Sequence, residues 1–174
     1  SIQGTPPKPR TALVYGLSGN PPSGSGGHGG IVAWASRALV DLPNDADPAR
    51  SAECVALDEV WTPIVYSHMF GKDLVPFEHR VAMAKLGLKA APGARAKVKV
   101  LETERALYEK ARAKAKAEGR PLDQVRVGTI DLIRHLAAAH PDTQLVLALG
   151  ADVYADLKAG KWKGGDALMA MVPI

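Results

Sequence analysis

Apolar segments of strand length alternate with helix-like segments along this 174-residue chain, and this alternation restricts the fold more than any other feature. The strand-like segments are residues 11–15, 58–65, 96–102 and 144–150. The helix-like segments are residues 30–40, 77–88, 105–120 and 129–140. Because strands that alternate with helices form parallel sheets, we expect an α/β fold with a doubly wound, mostly parallel sheet and helices on both faces. Residues 168–174 (LMAMVPI) predict a last strand, and residues 42–53 predict a loop.

Two of the predicted helices have recognisable boundaries. Pro76 fits the first turn of a helix whose apolar residues recur at helical spacing, namely Phe77, Val81, Ala84 and Leu88. In the segment GTIDLIRHLAAAHP, Thr129 is the expected N-cap, Asp131 lies in the first turn, and Pro141 ends the helix.

Length and composition predict one domain of ordinary globular type. With 47% hydrophobic residues, residues 11–174 are long enough to enclose a core, and residues 1–10 are expected to be flexible. No apolar run approaches the ~20 residues of a membrane span, and the N-terminal residues lack the apolar core of a secretory signal. The single cysteine, Cys54, excludes an internal disulfide and fits a reducing compartment, so we expect a cytoplasmic protein without a membrane partner.

The positive charge is concentrated in one part of the chain. Residues 89–126 contain eleven of the 22 Lys and Arg residues and five acidic residues, a net charge of +6, whereas the rest of the chain sums to −2. A nucleic-acid surface is one interpretation of this segment. A solvated surface helix with a thin apolar stripe (Leu107, Ala111 and Ala115) is favoured, because only Tyr108 places an aromatic ring among these charges. We therefore expect no nucleic-acid partner.

The segment YGLSGNPPSGSGGHGG (15–30) lies between the first predicted strand and the first predicted helix. Gly24, Gly26 and Gly29 match G-x-G-x-x-G, but eight residues separate this pattern from the strand that a dinucleotide fingerprint should follow directly. A Walker loop is excluded because the segment has no lysine. In a parallel sheet, ligands bind beyond the carboxyl ends of the strands, where both this loop and the segment LGAD (149–152) fall.

The loop resembles the signature of the nucleotidyltransferase superfamily, in which a first strand runs into G-x-F-x-P-P and then into a (His/Thr)-x-Gly-His element at a helix start. The segments DEVWTPIV, FEHRVAMAKLGL, GTIDLIRHL and LALGADVYADLKAGKWKGGDAL follow in the order found in nicotinate and nicotinamide mononucleotide adenylyltransferases. This resemblance covers about residues 11–172 and implies a Rossmann-like domain. It also implies transfer of an adenylyl group from ATP to a pyridine mononucleotide, in NAD biosynthesis, with Mg²⁺ as the cofactor.

The resemblance implies where ATP binds. His28 resembles the catalytic histidine, and Ser25 takes the first position of the (His/Thr)-x-Gly-His element. The segment Gly16, Leu17 and Ser18 resembles the backbone that lines the ATP phosphates. Gly150 and Asp152 resemble the pair that meets the adenosine ribose, although Asp152 is also placed to cap a helix.

The resemblance also implies where the mononucleotide binds. Lys72 resembles a basic residue near the phosphates, with a catalytic as well as a binding role, although a lone lysine is ordinarily a surface residue. Thr129 matches a threonine whose neighbourhood contacts the pyridine substituent, and Trp162 matches a tryptophan that stacks on the pyridine ring. Ordinary core packing is the alternative for Trp162. The remaining histidines lack the spacing of metal ligands, so no protein metal site is expected.

The chain departs from the family pattern at several positions. Ser18 replaces the usual Phe, Gly128 replaces a tyrosine of the pyridine site, and the Pro-Pro to His spacing is two residues longer. An I-S-S-T-x-I-R-like segment that supplies further ATP contacts in the family has no counterpart in the 174 residues. Transfer to another phosphate acceptor and non-catalytic nucleotide binding are therefore kept as alternatives. A homo-oligomer is compatible with the sequence.

Overall fold

The structure is a computed structural model that describes residues 9–42, 53–67, 73–162 and 164–174. The described strands are β1 (Arg10–Val14), β2 (Leu39–Leu42), β3 (Glu53–Ala56), β4 (Glu59–Pro63), β5 (Lys97–Leu101) and β6 (Thr143–Leu147). The described α-helices are α1 (His28–Ala35), α2 (Phe77–Gly87), α3 (Thr103–Ala117), α4 (Thr129–Ala139), α5 (Ala151–Lys158) and α6 (Gly165–Met171). A short 3₁₀ helix covers Leu122–Gln124.

The central sheet has the strand order β5-β4-β1-β6, and each neighbouring pair of strands is parallel. Strands β1 and β6 carry apolar side chains on both faces, as expected when helices cover both sides of a parallel sheet, whereas the edge strand β5 alternates exposed lysines with valines. In β1, Leu13 joins one core cluster, whereas Ala12 and Val14 join the other, because successive side chains of a strand point to opposite faces. The predicted α/β class with a doubly wound, mostly parallel sheet is confirmed.

Each face of the sheet is covered by a different set of helices. On one face, Val32 of α1 and Val81 of α2 pack in the same cluster as Leu13. On the other face, Ile133 of α4 and Leu157 of α5 pack with residues of β1 and β6. Helix α1, which follows the glycine-rich loop, and helix α5, which follows Gly150, therefore lie on opposite sides of the sheet.

The prediction of a helix over residues 30–40 was wrong at its C-terminal end. Helix α1 ends at Ala35, and Leu39–Leu42 form β2, which pairs antiparallel with β3. In this pairing Val40 lies opposite Val55, and Val55 and Leu42 are buried in the core. The ends of the predicted loop 42–53 therefore belong to strands, and residues 43–52 lie outside the described residues.

The prediction of a last strand over residues 168–174 was also wrong. Gly165–Met171 form α6, and Leu168 is buried in the core between this helix and the sheet. The Pro173 carbonyl accepts a hydrogen bond from the Leu147 N–H at 2.8 Å, so only the residues after α6 run along β6. A short apolar run does not distinguish a strand from a buried helix, and the Leu, Met and Ala residues at positions 168–171 are good helix formers.

The remaining elements lie close to their predicted positions. Strand β1 begins at Arg10, one residue inside the segment expected to be flexible, and residues 1–8 lie outside the described residues. Helix α3 buries Ala115, while Arg105 on its surface pairs with Glu78 and Glu109. Charges arranged in this way are typical of a solvated helix face. Within the described ranges, no helix has the length and apolar character that crossing a membrane requires.

Candidate active site

The carboxyl ends of β1 and β6 lie side by side, and the loops that follow them leave the sheet at the same edge. Val14 pairs with Leu147 in the parallel register, and the Ala148 N–H donates to the Val14 carbonyl at 2.9 Å. Strands β4 and β5 lie on one flank of β1 and β6 lies on the other, so the strand order reverses at β1. Such a reversal opens a crevice at the carboxyl edge of a parallel sheet, where ligands bind.

His28 is the first residue of α1, and a single serine holds its side chain. The Ser23 backbone N–H donates to His28 Nδ1 at 3.0 Å, and Ser23 Oγ lies 2.7 Å from the same nitrogen. The His28 backbone N–H in turn donates to Ser23 Oγ at 3.0 Å. The ring centroids of Tyr15 and His28 are 6.3 Å apart. The imidazole is therefore fixed at the start of α1, next to the residue that follows β1.

These hydrogen bonds assign the proton of the neutral imidazole. Because a backbone N–H can only donate, Nδ1 of His28 must accept from Ser23. Ser23 Oγ accepts from the His28 N–H, and its own proton shares the single lone pair of Nδ1 with the Ser23 N–H. The neutral ring then carries its proton on Nε2. His28 therefore offers an N–H donor of the kind that stabilises negative charge developing on an oxygen.

The glycine-rich loop folds back over the first turn of α1. The Gly27 N–H donates to the Gly24 carbonyl at 3.0 Å, and the Gly29 N–H donates to the Ser23 carbonyl at 3.0 Å. The N–H of His28 is bound to Ser23 Oγ, as described above. In this conformation the loop itself therefore satisfies these N–H groups.

Two glycines make this close packing possible. A Cβ on Gly30 would lie 2.0 Å from the Ser25 carbonyl oxygen, and a Cβ on Gly29 would lie 3.1 Å from the Gly24 carbonyl oxygen. Both neighbours are backbone atoms, so the whole loop would have to move to admit a side chain. A Cβ on Gly26 would meet no atom within 4 Å. The Ser25 side chain is exposed, and the contact of its carbonyl with Gly30 fixes the backbone at this point.

Gly16, Leu17 and Ser18 follow β1 and run along the end of β4. The Leu17 N–H donates to the Pro63 carbonyl at 3.2 Å, and the Leu17 side chain is buried. The Ser18 carbonyl accepts from the Arg80 guanidinium at 2.8 Å. Gly16 is exposed and Ser18 is half-buried. Leu17 therefore anchors this segment to β4, whereas the residues on either side of it face the crevice edge.

Gly150 and Asp152 lie in contact at the start of α5. Gly150 occupies the N-cap position and Asp152 lies in the first turn, so the alternative in which Asp152 caps the helix was wrong. A Cβ on Gly150 would lie 2.7 Å from Asp152 Oδ1, which places the carboxylate directly against the glycine. Asp152 is exposed at the positive end of the helix, where its charge is favourable. A carboxylate in this position can accept hydrogen bonds from hydroxyl groups of a ligand.

The sequence predicted Thr129 as the N-cap of α4, and this was wrong. Thr129 is the first helical residue of α4. Gly128 occupies the N-cap position, and its N–H donates to Asp131 Oδ2 at 3.0 Å. The Asp131 N–H donates back to the Gly128 carbonyl at 3.0 Å. The Asp131 carboxylate thus satisfies the N–H of the N-cap residue, which is one half of a capping box, while glycine has no side chain to supply the other half.

Trp162 packs close to the start of α4. Its side chain is half-buried against the second core cluster, which contains Ile130 and Leu157. A Cβ on Gly164 would lie 3.3 Å from Ile130 Cγ2, so the chain just after Trp162 touches the residue after Thr129. The fold therefore brings the segments of the two predicted mononucleotide residues together. Trp162 also contributes to the core, as its alternative interpretation expected.

Lys72 and His68 lie outside the described residues. In the part of the chain that the structure describes, no group of three or more His, Cys, Asp or Glu side chains could hold a metal ion. Mg²⁺ usually binds proteins through only one or two carboxylates beside substrate phosphates. His79, His135 and His140 are exposed, and His140 also packs its ring against Trp61 with 4.7 Å between centroids.

Three residues near this edge were missed from the sequence: Ser23, Arg80 and Glu104. Arg80 lies three residues after Phe77 and four before Ala84, so it is on the apolar face of α2. A charged side chain on such a face indicates that it has buried hydrogen-bond partners. The Glu104 carboxylate accepts a hydrogen bond from the Tyr66 N–H at 3.1 Å. No local pattern marks Ser23 or Glu104, because their partners are set by the tertiary fold.

Glu104 is expected to make the stability of the protein depend on pH. Burial raises the pKa of its carboxyl from 4.5 to about 7, although the Tyr66 N–H and the charge of Arg80 lower it. Because the folded protein binds the proton more tightly, the stabilising contribution is complete below about pH 4.5 and is lost as the pH rises through about 7. One pKa unit is about 1.4 kcal/mol, so the free energy of unfolding falls by at most about 3 kcal/mol.

The measurement is chemical denaturation at about pH 5 and about pH 8 for the wild type and for Glu104→Gln. The neutral amide keeps an acceptor for the Tyr66 N–H, so the variant should lose most of the difference between the two pH values. Glu109→Gln, on the exposed side of α3, serves as the matched control. An unchanged difference in Glu104→Gln would assign the pH dependence to other groups.

Sequence relatives of the chain carry one name. No family model matches the chain. A protein of Anaeromyxobacter dehalogenans named "Probable nicotinate-nucleotide adenylyltransferase" is 36% identical over 119 residues, which are 68% of this chain and 53% of that protein. A Myxococcus xanthus protein of the same name is 35% identical over 107 residues, 62% of this chain and 45% of that protein. The chain thus spans about half the length of the curated relatives that it matches.

Solved structures share the fold described above. Plasmodium falciparum nicotinic acid mononucleotide adenylyltransferase complexed with NaAD has a TM-score of 0.58 at 18% identity, covering 91% of this chain and 60% of that chain. The same protein complexed with APC has a TM-score of 0.56, covering 91% of this chain and 59% of that chain. This likeness concerns the Rossmann-like α/β fold, and the sequence relatives add the family. The chain belongs to the family of nicotinate and nicotinamide mononucleotide adenylyltransferases.

Proposed function

We propose that the protein transfers the adenylyl group of ATP to nicotinate mononucleotide, with nicotinamide mononucleotide as a poorer acceptor, in NAD biosynthesis. The observation that carries the proposal is His28, whose Nδ1 is bound by Ser23 so that Nε2–H is left to donate at the carboxyl edge of the sheet. The names of the sequence relatives support the same reaction. The single cysteine and the reaction class together favour a cytoplasmic location.

In the proposed reaction a 5′-phosphate oxygen of the mononucleotide attacks the α-phosphorus of ATP in line with the leaving group. The bond between this phosphorus and the bridging oxygen breaks, and pyrophosphate leaves with the bonding electrons. The products are the dinucleotide and pyrophosphate, and no covalent enzyme intermediate forms. Catalysis then depends on positioning the two phosphates and on neutralising the charge that grows on the α-phosphate oxygens.

The residues at the ATP end of the crevice have distinct roles in this proposal. Nε2–H of His28 donates to an α-phosphate oxygen, and this bond strengthens as charge develops. Gly16 and Ser18 line the phosphates, and Leu17 anchors this segment of the chain to β4. Ser25 supports the loop that carries His28. Gly150 and Asp152 meet the adenosine ribose, where the exposed carboxylate accepts from hydroxyl groups.

The mononucleotide binds between the start of α4 and the connection from α5 to α6 in this proposal. Trp162 stacks on the electron-poor pyridine ring, and the N-terminal end of α4 at Thr129 binds the ring substituent. A helix N-terminus attracts negative charge, and a charge-assisted hydrogen bond is stronger than a neutral one. A carboxylate substituent therefore suits this end better than a carboxamide. Lys72 is proposed to neutralise phosphate charge. Mg²⁺ would enter bound to the ATP phosphates, and no step is assigned to a protein-bound metal.

The experiment that tests the proposal is incubation of the protein with ATP, Mg²⁺ and one mononucleotide at a time, with pyrophosphate as the measured product. Nicotinate mononucleotide should give the highest kcat/KM. A higher value for the amide would contradict the assignment of the helix N-terminus to a carboxylate. ATP binding without pyrophosphate release for any acceptor would instead identify a non-catalytic nucleotide-binding protein.

Trp162→Ala is expected to weaken binding of the mononucleotide by about 1–3 kcal/mol and to leave ATP binding nearly unchanged, since ring stacking is lost only on the acceptor side. Calorimetric titration with each ligand measures both effects. Trp162→Phe is the matched control, because it keeps an aromatic ring and part of the core packing. Equal losses for the two ligands, with a lower melting temperature, would show that Trp162 acts through the core alone.

A further inference from the structure

Arg80 is a buried cation that none of the proposed roles uses. It is only 2% exposed, and its side chain lies on the core-facing side of α2. Isolated charges are rarely found in such positions because burial without partners costs several kcal/mol. Arg80 makes no carboxylate ion pair within the described residues; its guanidinium donates to four backbone carbonyls, at 2.9 Å to Val75, 2.8 Å to Ser18, 2.5 Å to Val65 and 3.2 Å to Tyr66.

These four carbonyls belong to two different loops at the carboxyl edge of the sheet. Ser18 lies in the segment that follows β1 and that is proposed to line the ATP phosphates. Val65 and Tyr66 follow β4, and Val75 precedes α2. Residues 65–66 and 75 therefore flank the chain segment that contains Lys72 on both sides. One side chain in the core holds the first loop and both flanks of the second loop in one arrangement.

Asn20 links the same two loops independently. Its Nδ2 donates to the Asp73 carbonyl at 3.3 Å, and its Oδ1 accepts from the Val75 N–H at 3.0 Å. Asn20 is half-buried, so its removal costs less core packing than the removal of Arg80. Two separate sets of hydrogen bonds thus converge on the position of the first loop relative to residues 73–75.

Glu104 and Arg80 bind the backbone of the same residue. The Glu104 carboxyl group accepts from the Tyr66 N–H at 3.1 Å, while the Tyr66 carbonyl accepts from Arg80 at 3.2 Å. Side chains from α2 and α3 therefore hold both polar groups of the Tyr66 backbone. Arginine suits this role better than lysine because its planar guanidinium has five N–H donors, whereas an ammonium has three donors at one point.

We propose that Arg80 is a positioning residue that fixes the Gly16–Ser18 segment, which is proposed to line the ATP phosphates, relative to residues 65–66 and 75 of the second loop. The inference rests on the proposed adenylyl transfer for its effect on rate, and on the hydrogen bonds alone for its effect on the loops. A displacement of about 1 Å in such a site can cost about 10²-fold in rate.

The test compares Arg80→Lys with the wild type. Lysine keeps the charge opposite Glu104 but cannot supply the four hydrogen bonds from one plane. We expect kcat to fall by about 10- to 100-fold with less than about a three-fold change in KM for ATP, because positioning acts mainly on the transition state. Arg37→Lys is the matched control, since Arg37 also donates to a backbone carbonyl, that of Pro92, at an exposed site outside these loops.

Amide hydrogen exchange separates this inference from the proposed reaction, because it needs no turnover. In Arg80→Lys, the amides of Val65, Tyr66 and Val75 should exchange faster, while that of Leu13 in β1 should not change. Faster exchange at Leu13 as well would mean a general loss of stability and would overturn the positioning role. A protein without any pyrophosphate release but with the local exchange change would contradict the reaction and retain the loop assignment.

Asn20→Ala keeps the inference testable if Arg80→Lys does not fold. Loss of the second link should also speed exchange at the Val75 amide and lower kcat, by a smaller factor of about three to ten. Normal kcat and normal exchange at the Val75 amide in Asn20→Ala would mean that the links between the two loops do not set the rate, and would overturn the proposal.

Discussion

Replacing His28 by alanine is expected to lower kcat by about 10²–10³-fold while ATP still binds, which is the range found when one donor to a developing negative charge is removed. The reason is the assigned tautomer. Ser23 occupies Nδ1, so Nε2–H is the group that can meet an α-phosphate oxygen. A bond that strengthens mainly in the transition state contributes to kcat and little to ground-state affinity.

Steady-state kinetics with ATP and nicotinate mononucleotide measure the rate, and titration with ATP measures binding. His79→Ala is the matched control, since His79 is exposed on α2 and takes no part in the site. The kcat of Ser23→Ala should lie between those of His28→Ala and His79→Ala. This variant retains the backbone N–H that donates to Nδ1 but loses the hydroxyl. Near-normal turnover of His28→Ala would falsify the assignment of this loop as the active site.

Gly30→Ala is expected to be strongly damaging although it adds a single methyl group, with kcat/KM reduced by about 10²-fold. In an ordinary helix, glycine to alanine stabilises by about 1 kcal/mol. Here the new Cβ would lie 2.0 Å from the Ser25 carbonyl oxygen, so the loop that orients His28 must move. Overpacking of this kind costs about 1–3 kcal/mol, which reverses the sign of the helix-propensity effect.

Gly26→Ala is the control for the same chemical change in the same loop, because its Cβ would meet no atom within 4 Å. We expect it to retain kcat/KM within about a factor of two. Kinetics of both variants, together with chemical denaturation, separate loss of loop geometry from loss of the whole fold. If Gly30→Ala matches Gly26→Ala in rate and stability, close packing of the loop on α1 is not required for activity.

The regular elements of the sheet were predictable because their signal is local. The runs TALVY and QLVLALG are apolar on both faces, as buried parallel strands must be. The predicted ends of these strands differ from the observed ends of β1 and β6 by one to three residues. The apolar face of α2 was read from the spacing of Phe77, Val81 and Ala84. Local periodicity was sufficient wherever one element packs on the sheet along its full length.

Local signals failed where a distant segment determines the conformation. Residues 39–42 have helical neighbours in sequence, yet they pair with Glu53–Ala56 because that hairpin buries Val55 and Leu42. Residues 168–174 were predicted as a strand because they form a short apolar run, yet Gly165–Met171 form α6, in which Leu168 fills the core beside α4. For residues 39–42 the free energy of tertiary packing exceeds the small differences of intrinsic propensity, whereas in α6 the Ala, Leu and Met residues favour the helix that forms.

The sequence by itself determined the α/β class, the family, and the position of His28 between the first strand and the first helix. Only the tertiary structure decided what surrounds that histidine. The glycines let the loop close over α1, where Ser23 holds Nδ1. Arg80 became a link between two loops only because the sheet brings Ser18 and Val65 together from sites 47 residues apart. Such contacts depend on distances across the fold, which no local pattern of residues records.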